Sequence, residues 1–509
     1  MKKLIPIICL LLAGCSEAPT TSQLSAKKET KDASIVWYDG TIESAFARAA
    51  EEEKPIFLYW GAVWCPPCQE IKSTVFKSQE FINLTRLFIP VYLDGDTERA
   101  QSWGDKFGVM GYPTMIVFNP EREELTRLPG NIDISRYNTV LDLSLNQMRP
   151  ISDIVQMAID DTTTLTDADF RQLAYYSWFQ DVSALPENAD KQALFASLAE
   201  HSPEGELSSR FFMLYLLAKL DVDGSVLTGS ETDQLQTILS SDELTLAAWD
   251  TLAYWTEEVL AVVPESRRDG LAEQWWQQTF DLRFAENLSK AEKLSGWFPR
   301  LYLLTRHGEV LPDEIQNQIR AEIEAVDRAT PDSFERQSVV NQMAHVYRQA
   351  GMIADAKMLL IEELEKSASP YYFMRSLGGI AEREAQFGEA LTWRRKAYDT
   401  AEGQATRFEW GTDYVRALIR MSPQDEDHIN QQAIALLGEF DDQSQLLAGR
   451  NFRRLQRLSA ELTDWRESRL LEAGEFNATI QALCSEQPAG SAEAQNCSNL
   501  SPNGAVAAS

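Results

Sequence analysis

The feature that most restricts the fold of this chain is the stretch LYWGAVWCPPCQE, residues 58–70, in which Cys65 and Cys68 stand two residues apart. The apolar run PIFLYWGAV ends directly before the cysteines and is typical of a buried strand. Apolar residues then recur at helical spacing from Ile71 to Phe76. A cysteine pair between a strand and a helix can be a redox pair, half of a zinc site or a structural disulfide.

The first fifteen residues predict an export signal. Lys2 and Lys3 precede an apolar run that is too short to span a bilayer, and two small residues stand before Cys15. The letters LAGC resemble the lipobox of bacterial lipoproteins, which implies that Cys15 becomes lipidated. Ser16 after that cysteine implies the periplasmic face of the outer membrane. The alternative is a plain secretory signal with an incidental cysteine.

The acidity of the chain argues against nucleic-acid binding. Its formal net charge is −30 at pH 7, and such a surface repels the phosphates of nucleic acids and of anionic lipids. We therefore expect protein partners, no nucleic acid, and a membrane attachment through the lipid anchor only. The 509 residues exceed the usual size of one domain several-fold, so we expect more than one folding unit.

Composition and periodicity change along the chain and divide it into five segments. Strand-like and helical runs alternate at first, which predicts an α/β layer fold, and the strand signal then stops in favour of a long array of helices. The tail is polar and is expected to be poorly ordered outside its two cysteines. The segments are a lipoprotein signal peptide (1–15), a flexible tether (16–33), an α/β domain (34–148), a helical domain (149–474) and a low-complexity tail (475–509).

An internal repeat lies in the helical domain, where residues 337–370 match residues 371–404 at an offset of 34 positions. The matched positions carry mostly small side chains: Ala344 with Gly378, Tyr347 with Ala381, Gly351 with Ala385, and Ala356 with Ala390. This period resembles the tetratricopeptide repeat, which implies a solenoid of helical hairpins. The resemblance also implies a surface for a client protein or another protein partner.

The position of the cysteine pair predicts redox chemistry. A cysteine at the first turn of a helix feels unpaired N–H groups and the positive end of the helix dipole, which stabilise a thiolate. Cys65 is therefore the predicted nucleophile, and Cys68 is placed to resolve a mixed disulfide. Pro66 and Pro67 remove N–H groups that the first helical turn does not need and stiffen the ring that the disulfide closes.

Two other roles for the pair are less consistent with the sequence. Zinc needs about four ligands, and the four histidines of the chain are scattered without ligand spacing. An inert structural disulfide would not need Trp64, two prolines and the sequence GYPT together. We expect no metal and no organic cofactor, because the cysteines themselves carry the electrons.

Residues 34–147 resemble the thioredoxin superfamily, in particular its periplasmic and lipoprotein domains. The resemblance is carried by IVWYDGTIESAFARAAEEEKPIFLYWGAVWCPPC and by FGVMGYPT. It implies thiol–disulfide exchange with protein cysteines. It also implies that Trp64 is the active-site tryptophan, that Pro67 is the proline before the second cysteine, and that Gly130 is the glycine before the last helix.

The same resemblance implies a cis-proline at Pro113, packed against the cysteine pair, with the backbone of Tyr112 offered to an extended substrate chain. A trans-proline that opens a strand is the alternative. One position departs from the family: a buried Asp that helps to deprotonate the resolving thiol is replaced by Tyr59. A phenol with a pKa near 10 is a poor base at neutral pH. Another group or water must take that proton, or the resolving step is slow.

Cys484 and Cys497 stand thirteen positions apart in the tail. A structural disulfide between them is the favoured prediction, and exchange of this pair with Cys65 is the alternative. For the whole chain two functions remain open. The first is an envelope thiol–disulfide oxidoreductase, and the second is a non-enzymatic scaffold lipoprotein whose thioredoxin-like domain is vestigial.

Overall fold

The structure is a computed structural model that describes residues 34–500, except for residues 105, 129–133, 180–183, 187, 223 and 472–473. The expected signal peptide, the lipidation site Cys15, the tether and Gly130 lie outside the described residues. The predicted order of an α/β part followed by an all-α part is confirmed.

The α/β part is built on a four-stranded mixed sheet. Its strands are β1 (Ile56–Gly61), β2 (Ile89–Asp94), β3 (Thr114–Phe118) and β4 (Glu124–Leu128). The strand order is β2-β1-β3-β4, with β1 parallel to β2, β3 antiparallel to β1, and β4 antiparallel to β3. Every residue of β1 is buried, as expected of the apolar run before the cysteines.

The sequence pattern did not predict β4, because charged residues interrupt its apolar pattern. Arg127 lies inside the strand and is only 1% exposed. Its guanidinium pairs with the carboxylate of Glu124 at 2.7 Å and donates to the carbonyl of Phe107 at 2.6 Å. The ion pair and the hydrogen bond thus stabilise the buried charge of Arg127, which the local sequence pattern does not place in a strand.

Five helices complete the α/β part. They are α1 (Ile42–Glu52), α2 (Pro66–Ser73), α3 (Gln79–Thr85), α4 (Glu98–Gly104) and α5 (Ile134–Asn146). The side chain of Thr41 accepts a hydrogen bond from the amide of Ser44 and thereby caps the start of α1. Ala45, Phe46 and Ala49 recur at helical spacing and bury this helix against the sheet.

Helices alone make up the rest of the described chain. They are α6 (Ile151–Asp161), α7 (Asp167–Ala174), α8 (Lys191–His201), α9 (Glu206–Leu220), α10 (Gly229–Leu239), α11 (Asp242–Ala247), α12 (Trp249–Leu252), α13 (Thr256–Val262), α14 (Glu265–Leu282), α15 (Lys290–Ser295), α16 (Phe298–Thr305), α17 (Asp313–Arg328), α18 (Ser333–Gln349), α19 (Ile353–Glu363), α20 (Pro370–Arg383), α21 (Phe387–Thr400), α22 (Gln404–Met421), α23 (Glu426–Leu437), α24 (Gly449–Ser468), α25 (Glu475–Ser485) and α26 (Ala492–Ser498). This succession is consistent with a helical solenoid.

The 34-residue period coincides with one helical hairpin, α18 with α19 and then α20 with α21. The connection in each hairpin contains one residue in the left-handed region, Gly351 at φ 69° and its equivalent Ala385 at φ 57°. The small side chains allow the paired helices to approach closely, since a Cβ at Gly378 would lie 3.2 Å from the carbonyl oxygen of Ala390. The matched residues are thus explained by packing.

The tail is more ordered than its composition suggests, and the expectation of a poorly ordered tail is wrong for residues 475–500. Phe476, Ile480 and Leu483 follow helical spacing and bury one face of α25. A disulfide between Cys484 and Cys497 ties α25 to α26, with the two Cα atoms 5.6 Å apart. Three apolar side chains on one face and a covalent link are enough to fix a polar segment.

The α/β part and the helical part pack directly against each other. Helix α18 lies along α2, which follows the first cysteine, and α24 lies against α4. Apolar residues of both parts share one core cluster, which holds Trp64, Cys65 and Cys68 together with Tyr371 and Trp410. The helical array is therefore part of the surroundings of the cysteine pair.

Candidate active site

The cysteine pair lies where β1 passes into α2. Cys65 is the residue before the first helical position, with an extended backbone, and its sulfur accepts a hydrogen bond from the amide of Cys68 at 3.3 Å. Pro66 and Pro67 occupy the first helical turn. The two cysteines form a disulfide with their Cα atoms 5.2 Å apart. This is the local geometry in which a freed Cys65 thiolate faces the positive end of a helix.

Both cysteines are shielded from solvent. Cys65 is 4% exposed and Cys68 is 0% exposed. Pro66 is also buried, whereas Pro67 and Val63 remain exposed at the rim of the pair. Sequence reasoning did not foresee this burial.

The peptide bond between Tyr112 and Pro113 is cis, as the resemblance to thioredoxins implies, so the trans alternative is wrong. The ring of Tyr112 meets that of Trp64 edge to face, with the centroids 5.8 Å apart. Glycine is required at position 95, because a Cβ there would overlap the Tyr112 ring. The proline loop and the cysteine loop therefore meet at Tyr112 and Trp64.

Asp96 holds Trp64 in place. The indole nitrogen of Trp64 donates to a carboxylate oxygen of Asp96 at 2.8 Å, and Thr406 of α22 hydrogen-bonds to the same carboxylate. Burial raises the pKa of Asp96 to about 6, and nearby Glu409 adds to the increase. Sequence reasoning missed Asp96, although the polar turn DGDT after β2 stands at the sheet edge that carries the cysteines.

Tyr59 occupies the place of the family's buried Asp and is fully buried in β1. Its hydroxyl donates to the carbonyl of Cys68 at 3.4 Å. Burial raises the pKa of Tyr59 well above its usual value of 10. The phenol is therefore a neutral hydrogen-bond donor and not a base for the resolving thiol.

The helical part supplies one wall of the site. The ring of Tyr372 from α20 stacks on Trp64 with the centroids 6.3 Å apart, and Trp410 from α22 meets Trp64 edge to face at 5.4 Å. The side-chain amide of Gln337 from α18 donates to the backbone carbonyl of Trp64 at 3.1 Å. Three helices, α18, α20 and α22, therefore contact the residue directly before Cys65.

A buried ionic group lies on the other side of the tryptophan. The guanidinium of Arg450 is 4.5 Å from the ring centroid of Tyr112 and 5.2 Å from that of Trp64. Arg450 donates to the carboxylate of Glu409 at 2.9 Å, and Arg454 pairs with the same carboxylate. These residues were not predicted, because no local motif connects an arginine in α24 with a loop more than 300 positions earlier.

A second polar contact joins the parts beside α2. The hydroxyl of Ser289 donates to the carboxylate of Glu70. Burial raises the pKa of Glu70, and burial together with the Glu70 charge raises that of the neighbouring Glu292 to about 7. Two carboxyl groups are therefore held in a poorly solvated seam between α2 and α15.

The tail disulfide is a separate feature. Cys484 and Cys497 are half-buried and pack at the margin of the apolar cluster that contains Cys65. Among the residues that the structure describes, no three His, Cys, Asp or Glu side chains are arranged to hold a metal ion. None of the helices described in residues 34–500 combines the length and the hydropathy that a membrane span requires.

Comparison with known proteins finds a family match in the α/β part. The family described as thioredoxin-like domain matches residues 42–144. A solved structure described as "DsbH Oxidoreductase" is 19% identical, with a TM-score of 0.21, and the match covers 24% of this chain and 96% of that chain. No curated protein matches the chain. Residues 42–144 therefore form a thioredoxin-like domain, which carries the Cys65–Cys68 pair and precedes a long helical region.

Proposed function

We propose that this protein is a thiol–disulfide oxidoreductase of the bacterial cell envelope that acts on protein cysteines. The observation that supports this proposal best is the position of Cys65 at the start of α2, one turn from Cys68 and next to the loop of cis-Pro113. The family match over residues 42–144 supports the same chemistry.

The proposed exchange begins from the disulfide. A client thiolate attacks the sulfur of Cys65, the Cys65–Cys68 bond breaks, and Cys68 leaves as a thiolate that takes up a proton. A second client thiolate then attacks the client sulfur of the mixed disulfide and releases Cys65. The client has lost two electrons and gained a disulfide, and the cysteine pair is reduced to two thiols. The reverse sequence reduces a client disulfide.

The surrounding residues position this exchange. In this proposal Trp64 shapes the site, and Pro66 with Pro67 stiffens the ring that the disulfide closes. Pro113 and the backbone of Tyr112 would align an extended client segment. Tyr59 leaves the resolving thiol without a carboxylate at the family's position, so in the reverse direction water or another group takes the proton of Cys68.

We further propose that Cys15 anchors the protein by a lipid at the periplasmic face of the outer membrane and that residues 16–33 serve as its tether. Residues 149–474 would then recruit a client or another protein partner. These assignments rest on the sequence.

Trapping the mixed disulfide tests the enzyme proposal. In the Cys68→Ala variant the resolving sulfur is missing, so client proteins should accumulate on Cys65 and appear as reducible high-mass adducts in a cell-envelope fraction. The matched control is Cys68→Ala with Cys65→Ser, which removes the attacking sulfur as well. Adducts that are equally abundant in the control, or absent from both variants, would count against exchange at Cys65.

The burial of both cysteines favours a second candidate, a scaffold with a vestigial redox domain. Replacement of Cys65 and Cys68 by Ser separates the two functions. If the helical part is the working part, the double variant keeps its partners and its cellular phenotype. If the protein is an oxidoreductase, the double variant folds but loses the phenotype.

A further inference from the structure

The helical part covers the face of the thioredoxin-like domain through which a client would reach Cys65. Helices α18, α20 and α22 contact Trp64 in the loop that carries Cys65. Helix α24 contacts the loop that carries Pro113, where Arg453 donates to the carbonyl of Val109 at 2.8 Å. Only 4% of Cys65 is exposed, so a protein thiolate has little access to its sulfur.

The start of α24 packs closely against α4 of the thioredoxin-like domain. Gly449, the first residue of α24, has a φ of 54°, and a Cβ there would lie 2.7 Å from the backbone oxygen of Gln101 in α4. The side-chain oxygen of Gln101 accepts hydrogen bonds from the backbone amides of Arg450 at 2.9 Å and Asn451 at 3.4 Å. This contact is built from backbone groups and a glycine, which is typical of a specific interface.

The same cover contains groups that favour its opening. The indole nitrogen of Trp410 is buried and has no hydrogen-bond acceptor among the described residues. A buried donor without a partner is less stable than one that is hydrogen-bonded to water. The Nε of Arg454 in α24 is likewise buried without a hydrogen-bond acceptor among the described residues. Water would reach these groups if the helices moved away.

We propose that α18, α20, α22 and the start of α24 form a lid over the Cys65–Cys68 pair, and that exchange with a protein client requires this lid to open. The proposal rests on the proposed function, since it assumes that the pair reacts with protein thiols. In the closed form the disulfide is protected from a client thiolate, which must approach the Cys65 sulfur opposite the Cys65–Cys68 bond.

The test measures how fast the Cys65–Cys68 disulfide of the purified protein is reduced by a reduced protein dithiol, with a purified thioredoxin as the probe. Samples are quenched with a maleimide, and peptide masses report Cys65 and Cys68 separately from Cys484 and Cys497. The same measurement with a small phosphine reductant shows how reactive the Cys65–Cys68 disulfide is when the size of the reductant does not limit access.

The lid variant is Trp410→Ala, which removes an indole that is 3% exposed and in contact with Trp64. Its matched control is Trp275→Ala, because Trp275 is also buried but belongs to a separate apolar cluster of the helical part. Both substitutions remove the packing of a large buried side chain and should destabilise the protein to a similar degree. Only the first one weakens the lid.

We expect Trp410→Ala to speed reduction by the protein dithiol about tenfold or more, since each ~1.4 kcal/mol that shifts the equilibrium toward the open form changes its population tenfold. Trp275→Ala should reduce at the wild-type rate. Equal rates for wild type and Trp410→Ala, with both proteins folded by circular dichroism, would overturn the lid.

A milder variant keeps the test decisive if Trp410→Ala does not fold. Gln337→Ala removes the hydrogen bond to the carbonyl of Trp64 and should speed reduction by the protein dithiol in the same direction by a smaller factor. An unchanged rate in this variant would also contradict the lid.

The outcomes distinguish the lid from the proposed function. If the lid variants are reduced faster but none of them exchanges disulfides with an unfolded client protein, the lid exists and the proposed function fails. If wild type exchanges with such a client as fast as the lid variants, the function holds and the lid fails.

Discussion

Trp64 and Trp410 meet edge to face with their ring centroids 5.4 Å apart, although one precedes the first cysteine and the other lies in the helical part. Trp64 is at the same time held by Asp96 of its own domain through a 2.8 Å hydrogen bond. The tryptophan next to the cysteine pair therefore contacts both parts of the chain. The contacts within the protein lead to four predictions about its stability and about access to the cysteine pair.

The buried carboxylate of Glu409 should be a main stabiliser of the closed arrangement. Glu409→Gln removes the carboxylate that pairs with both Arg450 and Arg454, and we expect a loss of about 3 kcal/mol in the free energy of unfolding. The measurement is urea unfolding followed by tryptophan fluorescence. The control is Glu426→Gln, whose partner Arg469 forms a pair at the surface, and such a pair contributes at most about 1 kcal/mol. Equal losses in the two variants would contradict this role.

The pH dependence of stability should contain a contribution from Asp96. Burial raises its pKa in the folded state to about 6 from a usual value of 3.8. The folded protein binds this proton more tightly, so the contribution to stability is fully present below about pH 3.8 and is lost as the pH rises through about 6.

Asp96→Asn removes that titration. We expect the variant to be more stable than wild type at pH 7.5, by on the order of 2 kcal/mol, and the difference to shrink as the pH falls toward 4. Unfolding in denaturant at several pH values measures it, and Asp39→Asn at an exposed position is the control. If wild type were instead more stable than Asp96→Asn at pH 7.5, the folded protein would favour the ionised carboxylate of Asp96.

The tail disulfide should stabilise the protein without taking part in exchange. Replacing Cys484 and Cys497 by Ser opens a loop of thirteen residues, for which chain entropy predicts a loss of about 2–4 kcal/mol. Thermal unfolding should show a lower midpoint, while trapping of clients on Cys65 in the Cys68→Ala background should be unchanged. Loss of trapping in the absence of the tail cysteines would instead favour a relay between the two pairs.

The start of α24 should tolerate no side chain. Gly449→Ala adds a methyl group at positive φ and brings it against Gln101, so it should destabilise the protein and expose Cys65 to the protein dithiol. Gly490→Ala is the matched control, because Gly490 also has a positive φ, 83°, but has no atom within 4 Å of its Cβ position. Gly490→Ala should lower the free energy of unfolding by only ~1–2 kcal/mol, which is the cost of an alanine in this backbone conformation. Equal effects would mean that contact with Gln101 is unimportant.

Local patterns in the sequence were sufficient for much of the architecture. The strand before Cys65, the helix after it and the proline loop at Pro113 follow from short stretches in which hydrophobic spacing and proline act on neighbouring residues. The 34-residue offset likewise predicted helical hairpins, since each hairpin is a local unit. The ordered part of the tail was missed because its polar composition concealed three apolar residues on one helical face.

Tertiary structure alone decided that the cysteine pair is covered. Gln337 and Trp64 are 273 positions apart, and the amide of Arg450 and its acceptor Gln101 are 349 apart. No local pattern specifies such pairs, because the free energy of each contact depends on which helix faces meet and on the water that they exclude. The sequence by itself determined a cysteine pair on a thioredoxin-like fold and an array of helices beside it. The packing of those helices determined whether a client can reach the pair.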